Sequence, residues 1–323
     1  MLDQYGRVIN YLRISVTDRC NLRCCYCMPE GVQDVGMKNI LTFEEIWEIV
    51  RTGVSLGITH IRITGGEPLV RKGCVDLIRG IREIPGVETI TMTTNGVLLG
   101  NYAKQLKEVG VDSVNISLDT LDPEEFYKIT GKRELQEVLA GIREAKTAGL
   151  QVKLNAVNRK ELDPLPLVRY AQKENLPLRF IEMMPVGYGK KYVGRSNEEL
   201  RKMLATVCGN PECITDREEL SRMGSGPAVY YRFSDLKVPV GFISAIHGKF
   251  CDTCNRIRLT AEGYLKLCLC YDKGADLRQA LREGEKEKLR TIMEETIFRK
   301  PAAHCFEHPE EMTETHEMVK IGG

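Results

Sequence analysis

The chain has 323 residues, of which 42% are hydrophobic and 28% are charged, and its formal net charge is +1. This balance excludes an intrinsically disordered chain and gives no overall field that would attract nucleic acid or a membrane surface. The first residues lack the apolar stretch of a secretory signal, and no run of about 18 apolar residues predicts a membrane span. We therefore expect a cytoplasmic protein that binds neither nucleic acid nor membranes.

Strands and helices alternate through the first part of the chain. The candidate strands are Arg13–Val16, His60–Thr64, Thr89–Thr93, Ser113–Ser117, Gln151–Val157 and Leu178–Met184. Amphipathic helical patterns lie between them; one follows Thr42, where Glu45 completes a capping box, and another opens at Asp122-Pro123. Strands that alternate with helices predict parallel pairing through right-handed crossovers. We therefore expect an α/β fold, a partial (β/α)6 barrel of the TIM type, with functional loops at the carboxyl ends of its strands.

The alternation stops after Met184. The elements predicted from there on are a helix at about Asn197–Val207, an irregular segment at Cys208–Pro227, strands at Val229–Phe233, Val240–Ala245, Ile257–Thr260 and Tyr264–Leu267, and helices near Asp276–Arg282 and Glu285–Phe298. We expect residues 1–235 to form the barrel and residues 236–323 to form a C-terminal region.

Three cysteines follow the first predicted strand. Cys20, Cys24 and Cys27 have the spacing C-x3-C-x2-C. Because the cytosol keeps thiols reduced, clustered cysteines there predict metal binding rather than disulfides. Three thiolates can hold three irons of a cubic iron–sulfur cluster and leave the fourth iron open for chemistry. The alternative is a zinc knuckle or a set of buried thiols, although the usual zinc pattern pairs two C-x2-C units.

A second set of cysteines lies in the C-terminal region. Cys251 and Cys254 form a C-x2-C pair, and Cys268 follows after thirteen intervening residues. This set again offers three thiolates, and taken alone it could also be half of a zinc site. Cys270 is a possible fourth ligand if its strand is regular, and Cys25 is a weaker candidate for the first set.

Positive side chains interrupt otherwise apolar strands. Arg13, Arg62, Lys153 and Arg179 each lie in a different predicted strand. A charge that faces a barrel interior is costly unless it is paired or bound to a ligand. Together they suggest an anion inside the barrel, although each could instead pair with an Asp or Glu.

Two arginines follow the second cysteine pair. Arg256 and Arg258 lie two residues apart, so a strand would project both from the same face. Convergent guanidinium groups beside an open metal position suit a polyphosphate or a carboxylate, and the alternative is a solvated strand face.

The ends of three predicted strands carry small residues. Gly65-Gly66-Glu67-Pro68 follows the second strand, and its glycines would let the backbone approach a ligand closely. Thr93-Thr94-Asn95-Gly96 and Asn115-Ile116-Ser117-Leu118-Asp119 end two later strands with small polar groups. Each of these is by itself an ordinary turn.

The whole set of motifs resembles the molybdenum cofactor biosynthesis protein A family, the GTP 3′,8-cyclases of the radical S-adenosylmethionine (SAM) superfamily. The matching segments are Arg13 to Pro29 with the first cysteine set, Arg62 to Leu69, Thr93 to Gly96, Asn115 to Asp119, Arg179 to Glu182, Phe250 to Thr260, Lys300-Pro301 with His304, and Met318 to Gly323. The resemblance covers essentially the whole chain. Arg-x-Arg after the second cysteine pair and the terminal Gly-Gly are its family-specific parts.

The resemblance implies a function for each group of residues. Cys20, Cys24 and Cys27 would hold one [4Fe-4S] cluster, and Cys251, Cys254 and Cys268 would hold a second one in the C-terminal region. The residues expected to bind SAM are Tyr26, Gly66, Asn95, Ser117 and Met184. Those expected to bind GTP are Arg13, Arg62, Thr93, Lys153, Arg179, Arg256, Ile257 and Arg258. A catalytic role is expected for Arg256, Arg258, Gly322 and Gly323.

The resemblance also implies an activity and partners. A 5′-deoxyadenosyl radical would take the hydrogen from C3′ of GTP, and the product would be 3′,8-cyclo-7,8-dihydroguanosine triphosphate, on the way to the molybdenum cofactor. A flavodoxin or ferredoxin would supply electrons, cyclic pyranopterin monophosphate synthase would take the product, and the enzyme would be a homodimer. The alternatives are another radical SAM enzyme with an auxiliary cluster, for example a peptide-modifying one, and a non-catalytic iron–sulfur electron carrier.

Overall fold

The fold is built on one large mixed sheet. The computed structural model describes residues 1–31, 36–224 and 226–322. Within these ranges the strands are β1 Tyr11–Ser15, β2 His60–Thr64, β3 Thr89–Thr94, β4 Ser113–Ser117, β5 Gln151–Asn158, β6 Leu178–Glu182, β7 Pro211–Cys213, β8 Val229–Phe233, β9 Val240–Ile243, β10 Arg256–Leu259, β11 Tyr264–Lys266 and β12 Gly274–Asp276.

The helices of the described residues connect and cover these strands. They are α1 Phe43–Ser55, α2 Cys74–Arg82, α3 Leu99–Glu108, α4 Pro123–Thr130, α5 Leu135–Thr147, α6 Leu165–Glu174, α7 Asn197–Cys208, α8 Arg217–Met223, α9 Arg278–Arg282 and α10 Lys286–Phe298. Short 3-10 segments occur at Met37–Asn39, Pro68–Val70, Gly187–Lys191, Cys251–Thr253, Pro309–Glu311 and Met318–Ile321. None of the helices in the described ranges is long and apolar enough to cross a membrane.

The predicted partial barrel is confirmed. Strands β1 to β6 lie side by side in chain order, and every neighbouring pair among them is parallel. Their apolar side chains pack with the buried faces of the crossover helices in one continuous core, which includes Leu12 and Ile14 of β1 and Ile46 and Ile49 of α1. Because the strands are parallel, their carboxyl ends all open on the same edge of the sheet.

The C-terminal elements extend both edges of this barrel. Strand β10 pairs in parallel with β1, and β9 pairs in parallel with β6. The antiparallel strands β11 and β12 continue beyond β10, whereas β8 and β7 continue beyond β9. The C-terminal region is therefore built into the same sheet, and the boundary after residue 235 stays a prediction.

Most predicted elements are found with ends shifted by one or two residues. The capping box of α1 forms as predicted, with Thr42 accepting from the Glu45 N–H and Glu45 accepting from the Thr42 N–H. The prediction of an irregular segment at Cys208–Pro227 is wrong, because β7 and α8 lie within it. Asp216 caps α8, and β7 pairs with β8. Strand β12 was also not predicted, since its three residues carry too little pattern to distinguish it from a turn.

The N-terminal segment ties the two ends of the chain together through Arg7. The Arg7 side chain forms a buried ion pair with Asp3, in which Nε lies 2.6 Å from Asp3 Oδ2. Its Nη1 donates to the carbonyls of Cys251 (2.8 Å) and Ala302 (2.7 Å), and Nη2 donates to that of Pro301 (2.7 Å). One guanidinium thus satisfies three carbonyl groups that surround the second cysteine set.

We expect Arg7→Leu to lower the free energy of unfolding by about 3–5 kcal/mol, because it leaves Asp3 as a buried charge without its partner. Urea unfolding of the anaerobic protein, followed by circular dichroism, measures this change. Arg51→Leu is the matched control, because the Arg51 side chain is 55% exposed and pairs only with Glu48 on its own helix. The control should stay within about 0.5 kcal/mol of the wild type. Equal urea midpoints for the wild type and Arg7→Leu would contradict the prediction.

Candidate active site

The first cysteine set lies in the loop that follows β1. Within it the N–H groups of Cys27 and Met28 both donate to the Cys24 carbonyl at 2.9 Å, which folds the loop into a tight turn. Burial raises the pKa of Cys24, and the neighbouring Cys27 and Cys20 thiolates raise it further. Burial likewise raises the pKa of Cys27, to about 12, with Cys20 contributing. The three thiols therefore share one buried space, where thiolate charges need a metal to compensate them.

The glycine loop after β2 supports the cysteine loop from the side. The Gly66 N–H donates to the Thr17 carbonyl (2.7 Å), and the Glu67 N–H donates to the Arg19 carbonyl (2.9 Å). A Cβ on Gly66 would lie 2.3 Å from the Arg19 carbonyl oxygen, and Gly65 has a φ of +153°. The two glycines thus allow the loop after β2 to approach the main chain of the cysteine loop closely, next to Cys20. Without side chains they also leave space for a ligand.

A buried carboxylate holds the next strand end against the same loop. Glu67 accepts from the Leu69 N–H (3.1 Å), the Thr94 hydroxyl (2.8 Å) and the Asn95 N–H (2.6 Å). Burial raises the pKa of Glu67 to about 7, and these three donors oppose the shift. The side-chain amide of Asn95 then donates to Asn21 Oδ1 at 2.7 Å. Asn95 therefore lies against the first cysteine set, where it was predicted to bind SAM.

Asp119 plays a similar part on the other side of the first cysteine set. It accepts from the Tyr26 hydroxyl (2.7 Å) and from the Val157 N–H (2.8 Å). Burial raises the pKa of Asp119, and these two hydrogen bonds oppose that shift. Tyr26 lies between Cys24 and Cys27 in the sequence. Through Asp119 it is held close to Val157 of β5.

The second cysteine set joins loops on both sides of β10 and β11. Cys251 and Cys254 enclose a short 3-10 turn before β10, and Cys268 follows β11. Burial raises the pKa of Cys254, but the positive charges of Lys300 and Arg256 more than offset it, so the pKa is lowered. The neighbouring Cys270 thiol lowers the pKa of Cys268 to about 5, against burial and with help from Lys300. This environment favours the thiolates of Cys254 and Cys268, the form that binds iron, whereas burial raises the pKa of Cys251.

The remaining thiols near the two sets point elsewhere. Cys25 does not line the cavity described below; its Sγ accepts from Arg159 Nη1 at 3.7 Å. Cys270 is fully buried, and its Sγ lies 3.2 Å from that of Cys305. Cys270 therefore packs with Cys305 in a small core of its own, and the structure does not bring it to the cavity as a fourth ligand.

Both cysteine sets line one cavity of about 370 Å³. Its wall also contains the predicted SAM residues and most of the predicted GTP residues, which are Tyr26, Gly66, Asn95, Ser117, Met184, Arg13, Arg62, Thr93, Arg179, Arg256 and Arg258. Among the described residues, no three His, Cys, Asp or Glu side chains converge as ligands of a single metal ion would. In a cubic cluster, by contrast, each thiolate binds its own iron, so the ligands stand around the cluster. The two sets fit such clusters, whose assignment to these six cysteines remains a prediction.

Three arginines of the cavity lie side by side on adjacent strands of the sheet. Arg13 is in register with Arg62 on one side and with Arg258 on the other. Burial lowers the pKa of Arg13 well below its usual value, and the charges of Arg258 and Arg62 lower it further. Burial also lowers the pKa of Arg258, to about 10, with Arg256 adding to the shift. Positive charge is therefore concentrated at one buried place.

The hydrogen-bond partners of Arg62 and Arg179 are neutral side chains, whereas the Cys254 and Cys268 thiolates act on Arg258. Arg62 donates to the hydroxyls of Tyr11 and Thr93, and Arg179 donates to the side-chain oxygens of Asn155 (2.8 Å) and Asn115 (2.5 Å). Within the described ranges, Arg62, Arg179, Arg256 and Arg258 make no ion pair with an Asp or Glu side chain. The alternative from the sequence, carboxylate partners for each charge, does not hold for Arg62 and Arg179. An anionic ligand would complete the site.

The C-terminal end of the chain reaches this cluster of arginines. The Gly322 carbonyl accepts from Arg258 Nη1 (2.7 Å) and from Arg13 Nη2 (3.5 Å). Gly322 has a φ of +78°, which favours glycine, and a Cβ there would lie 3.6 Å from that of Ser15. Val319 and Ile321 are buried and anchor the segment. Gly323, also predicted to be catalytic, lies outside the described residues.

Two predicted GTP residues do not line the cavity. The Lys153 ammonium donates to the Met223 carbonyl at 2.6 Å, at the end of α8, although its charge remains close to Arg179. The side chain of Ile257 is fully buried in the main core, because it faces away from Arg256 and Arg258 on the same strand. Ile257 therefore does not reach the cavity in this structure.

Several residues of the cavity wall were not predicted. They are Arg7, Tyr11, Asn155, Phe250, Lys300 and His304. The two-residue period of strands could have found two of them, since Tyr11 lies two residues before Arg13 and Asn155 lies two residues after Lys153. Arg7 and His304 carry no such signal, because they lie outside the strands.

Comparisons with known proteins cover the whole chain. Residues 14–162 match the radical SAM superfamily, and residues 176–306 match the family described as Molybdenum Cofactor Synthesis C. A protein of Clostridium perfringens named GTP 3′,8-cyclase is 43% identical, with 100% of both chains covered. One with the same name from Peptoclostridium acidaminophilum is 45% identical over 100% of this chain and 98% of its own.

Solved structures share the fold at lower identity. SuiB of Streptococcus suis bound to S-adenosylmethionine has a TM-score of 0.66 at 14% identity, with 97% of this chain and 77% of that one covered. Native anSMEcpe with bound AdoMet has a TM-score of 0.60 at 18% identity, with 92% and 82% covered.

We expect Gly66→Ala to remove the iron held by the first cysteine set. Its Cβ would lie 2.3 Å from the Arg19 carbonyl oxygen and 2.8 Å from that of Asp18, and these main-chain atoms can move only if the cysteine loop moves. Iron per chain after anaerobic reconstitution should fall to roughly half of the wild-type value.

Gly100→Ala is the matched control, because a Cβ there meets nothing closer than 3.7 Å. It should retain the wild-type iron content. A Gly66→Ala protein with full iron content would show that the cysteine loop does not depend on this contact.

Proposed function

The chain belongs to the GTP 3′,8-cyclases of the radical SAM superfamily, and on that premise we propose how its own residues carry out the reaction. The activity is the conversion of GTP to 3′,8-cyclo-7,8-dihydroguanosine triphosphate, the first step of molybdenum cofactor biosynthesis. As a radical SAM enzyme, the protein uses SAM and an iron–sulfur cluster.

The observation that carries the proposal is the cluster of buried arginines between two sets of thiols. Arg13, Arg62 and Arg258 stand in register on three adjacent strands, and no carboxylate side chain pairs with Arg62 or Arg258 in the described ranges. Bringing these charges together is unfavourable unless an anion joins them. A triphosphate supplies several negative charges and the oxygen acceptors that guanidinium groups prefer.

The first cysteine set provides the place for SAM. We propose that Cys20, Cys24 and Cys27 hold a [4Fe-4S] cluster and that Tyr26, Gly66, Asn95, Ser117 and Met184 line the adjoining SAM site. The bound groups supply the 5′-deoxyadenosyl radical that removes the hydrogen from C3′ of GTP. Tyr26 and Asn95 are each fixed by a partly buried hydrogen bond, so this side of the cavity is ordered before SAM binds.

The second cysteine set provides the place for the substrate base. We propose that Cys251, Cys254 and Cys268 hold a second [4Fe-4S] cluster and that the guanine lies against it. The triphosphate would then be held by Arg13, Arg62, Thr93, Arg179, Arg256 and Arg258. The chain would thus bind GTP at two points, which orients C3′ towards SAM and brings C8 close to C3′.

Lys153 and Ile257 do not reach the cavity as the sequence predicts. Lys153 would contact the triphosphate only if its ammonium left the Met223 carbonyl, and Ile257 only through its main chain. Gly322 occupies a place beside Arg13 and Arg258, where its carbonyl would orient both guanidinium groups. We propose that Arg256, Arg258, Gly322 and Gly323 assist catalysis in this way, by placing positive charge at the substrate.

The remaining partners follow from the family. We propose that a protein of the flavodoxin or ferredoxin type supplies electrons, that cyclic pyranopterin monophosphate synthase takes the product, and that the enzyme is a cytoplasmic homodimer. The barrel occupies residues 1–235 and the C-terminal region residues 236–323 in this proposal. Full-length relatives that bear the cyclase name support it over a peptide-modifying enzyme or an electron carrier.

Anaerobic reconstitution tests the cofactors and the reaction together. We expect about eight irons per chain, since each cubic cluster contains four. With SAM and a chemical reductant, 5′-deoxyadenosine should form together with the cyclised nucleotide when GTP is present, and ATP should not replace GTP. Abundant 5′-deoxyadenosine without any product derived from GTP would overturn the assignment.

We expect Arg258→Leu to weaken GTP binding by about 10- to 150-fold, because a hydrogen bond to a charged group contributes about 1.5–3 kcal/mol. Anaerobic equilibrium dialysis with GTP measures the dissociation constant, and the iron content confirms that both clusters are present. Arg299→Leu is the control, since its side chain directly after α10 is 74% exposed and, among the described residues, forms its ion pair with Glu295. A wild-type dissociation constant in Arg258→Leu would refute its contact with GTP.

A further inference from the structure

His304 is a buried residue of the cavity wall whose Nε2 makes no hydrogen bond with the described residues. It lies in the segment that follows α10, is only 7% exposed and lines the cavity. Its ring stacks on that of Phe306, with 4.5 Å between ring centroids and 27° between ring planes. Packing on both the ring and the main chain fixes the direction of its two nitrogens.

The hydrogen bonds of His304 define its tautomer. The Phe306 N–H donates to Nδ1 at 3.4 Å, so Nδ1 is the acceptor and the ring proton belongs on Nε2. Burial lowers the pKa of His304, which keeps the ring neutral, while the nearby Cys268 thiolate opposes that shift. The Nε2–H is therefore a neutral donor in a residue that lines the cavity and adjoins Cys251 and Cys268.

This donor has no acceptor among the described residues. Nε2 is buried and makes no hydrogen bond there. A buried donor without a partner is unfavourable by about 1–3 kcal/mol, so an acceptor is expected to occupy the adjoining space. The main-chain N–H of His304 already donates to the Cys251 Sγ at 3.5 Å, which places the residue at the edge of the second cysteine set.

We propose that His304 donates its Nε2–H to a sulfur atom of the second cluster and thereby raises the reduction potential of that cluster. The inference rests on the proposed function, which places a cluster on Cys251, Cys254 and Cys268. Reduction adds negative charge to the cluster, and a hydrogen-bond donor stabilises the reduced form more than the oxidised one. His304 is in this sense a positioning residue for the cluster and not a ligand.

The test is an anaerobic redox titration of the holoenzyme without GTP, followed by electron paramagnetic resonance. SAM is then added to identify the signal of the first cluster, which it perturbs. We expect His304→Leu to shift the potential of the second cluster to more negative values and to leave that of the first cluster unchanged. His304→Gln retains an N–H donor and should lie closer to the wild type than His304→Leu does.

A second measurement uses the wild-type protein and so does not depend on how the variants fold. With ¹⁵N-labelled histidine, pulsed resonance of the reduced second cluster should show a weak nitrogen coupling and an exchangeable proton. Both should be absent in His304→Leu. If that variant loses the second cluster, the presence or absence of the coupling in the wild type decides the question.

Three results would overturn the inference. The first is the absence of the nitrogen coupling in the wild type. The second is an unchanged potential in His304→Leu at about eight irons per chain. The third is an unchanged potential together with weaker GTP binding, which would assign the donor to the guanine base. About four irons per chain in the wild type would instead contradict the second cluster itself, so failure of the proposed function is distinguishable from failure of this inference.

Discussion

The structure depends on a concentration of positive charge on adjacent strands, where Arg62 and Arg258 make no ion pair with a carboxylate side chain of the described residues. Arg13, Arg62 and Arg258 lie side by side on β1, β2 and β10, so their repulsion is built into the register of the sheet. The protein offers them hydroxyl groups, amides and the Gly322 carbonyl, which orient a guanidinium without cancelling its charge. Burial of these charges is unfavourable, and the apolar packing of the same strands opposes that cost. An anionic substrate can then bind to the positive charge.

Buried carboxylates are present in the cavity region, but they join strand ends to each other and to the cysteine loop. Glu67 accepts from three donors at the ends of β2 and β3, and Asp119 joins Tyr26 to the end of β5. Each carboxylate accepts hydrogen bonds from main-chain and side-chain donors close to the first cysteine set. Negative charge therefore orders the loops around the first cysteine set, whereas positive charge is concentrated on the strand faces that line the cavity.

The sequence allowed the barrel to be predicted, and most of the site residues predicted from it line the cavity, because strands repeat every two residues and the motifs follow strand ends. The direction of Lys153 could not be predicted, since its acceptor is the Met223 carbonyl at the end of a helix that the pattern did not reveal. The contact between Gly66 and the Arg19 main chain could not be predicted either, because it is made by folding and carries no sequence pattern. Arg7 and His304 were missed for the same reason, because both act from irregular segments.

The pairing of β1 with β10 has a consequence for how the protein forms during synthesis. Tyr11 is in register with Arg256, so one edge of β1 waits for a strand about 245 residues later in the chain. At a synthesis rate of about 5–20 residues per second, that edge stays open for roughly 10–50 seconds on the ribosome. An open strand edge can pair wrongly with another chain, and a charged residue on the strand opposes this. Arg13 is a charged residue of this kind on β1, so a side chain that lines the mature cavity is also of the type that opposes wrong pairing in the nascent chain.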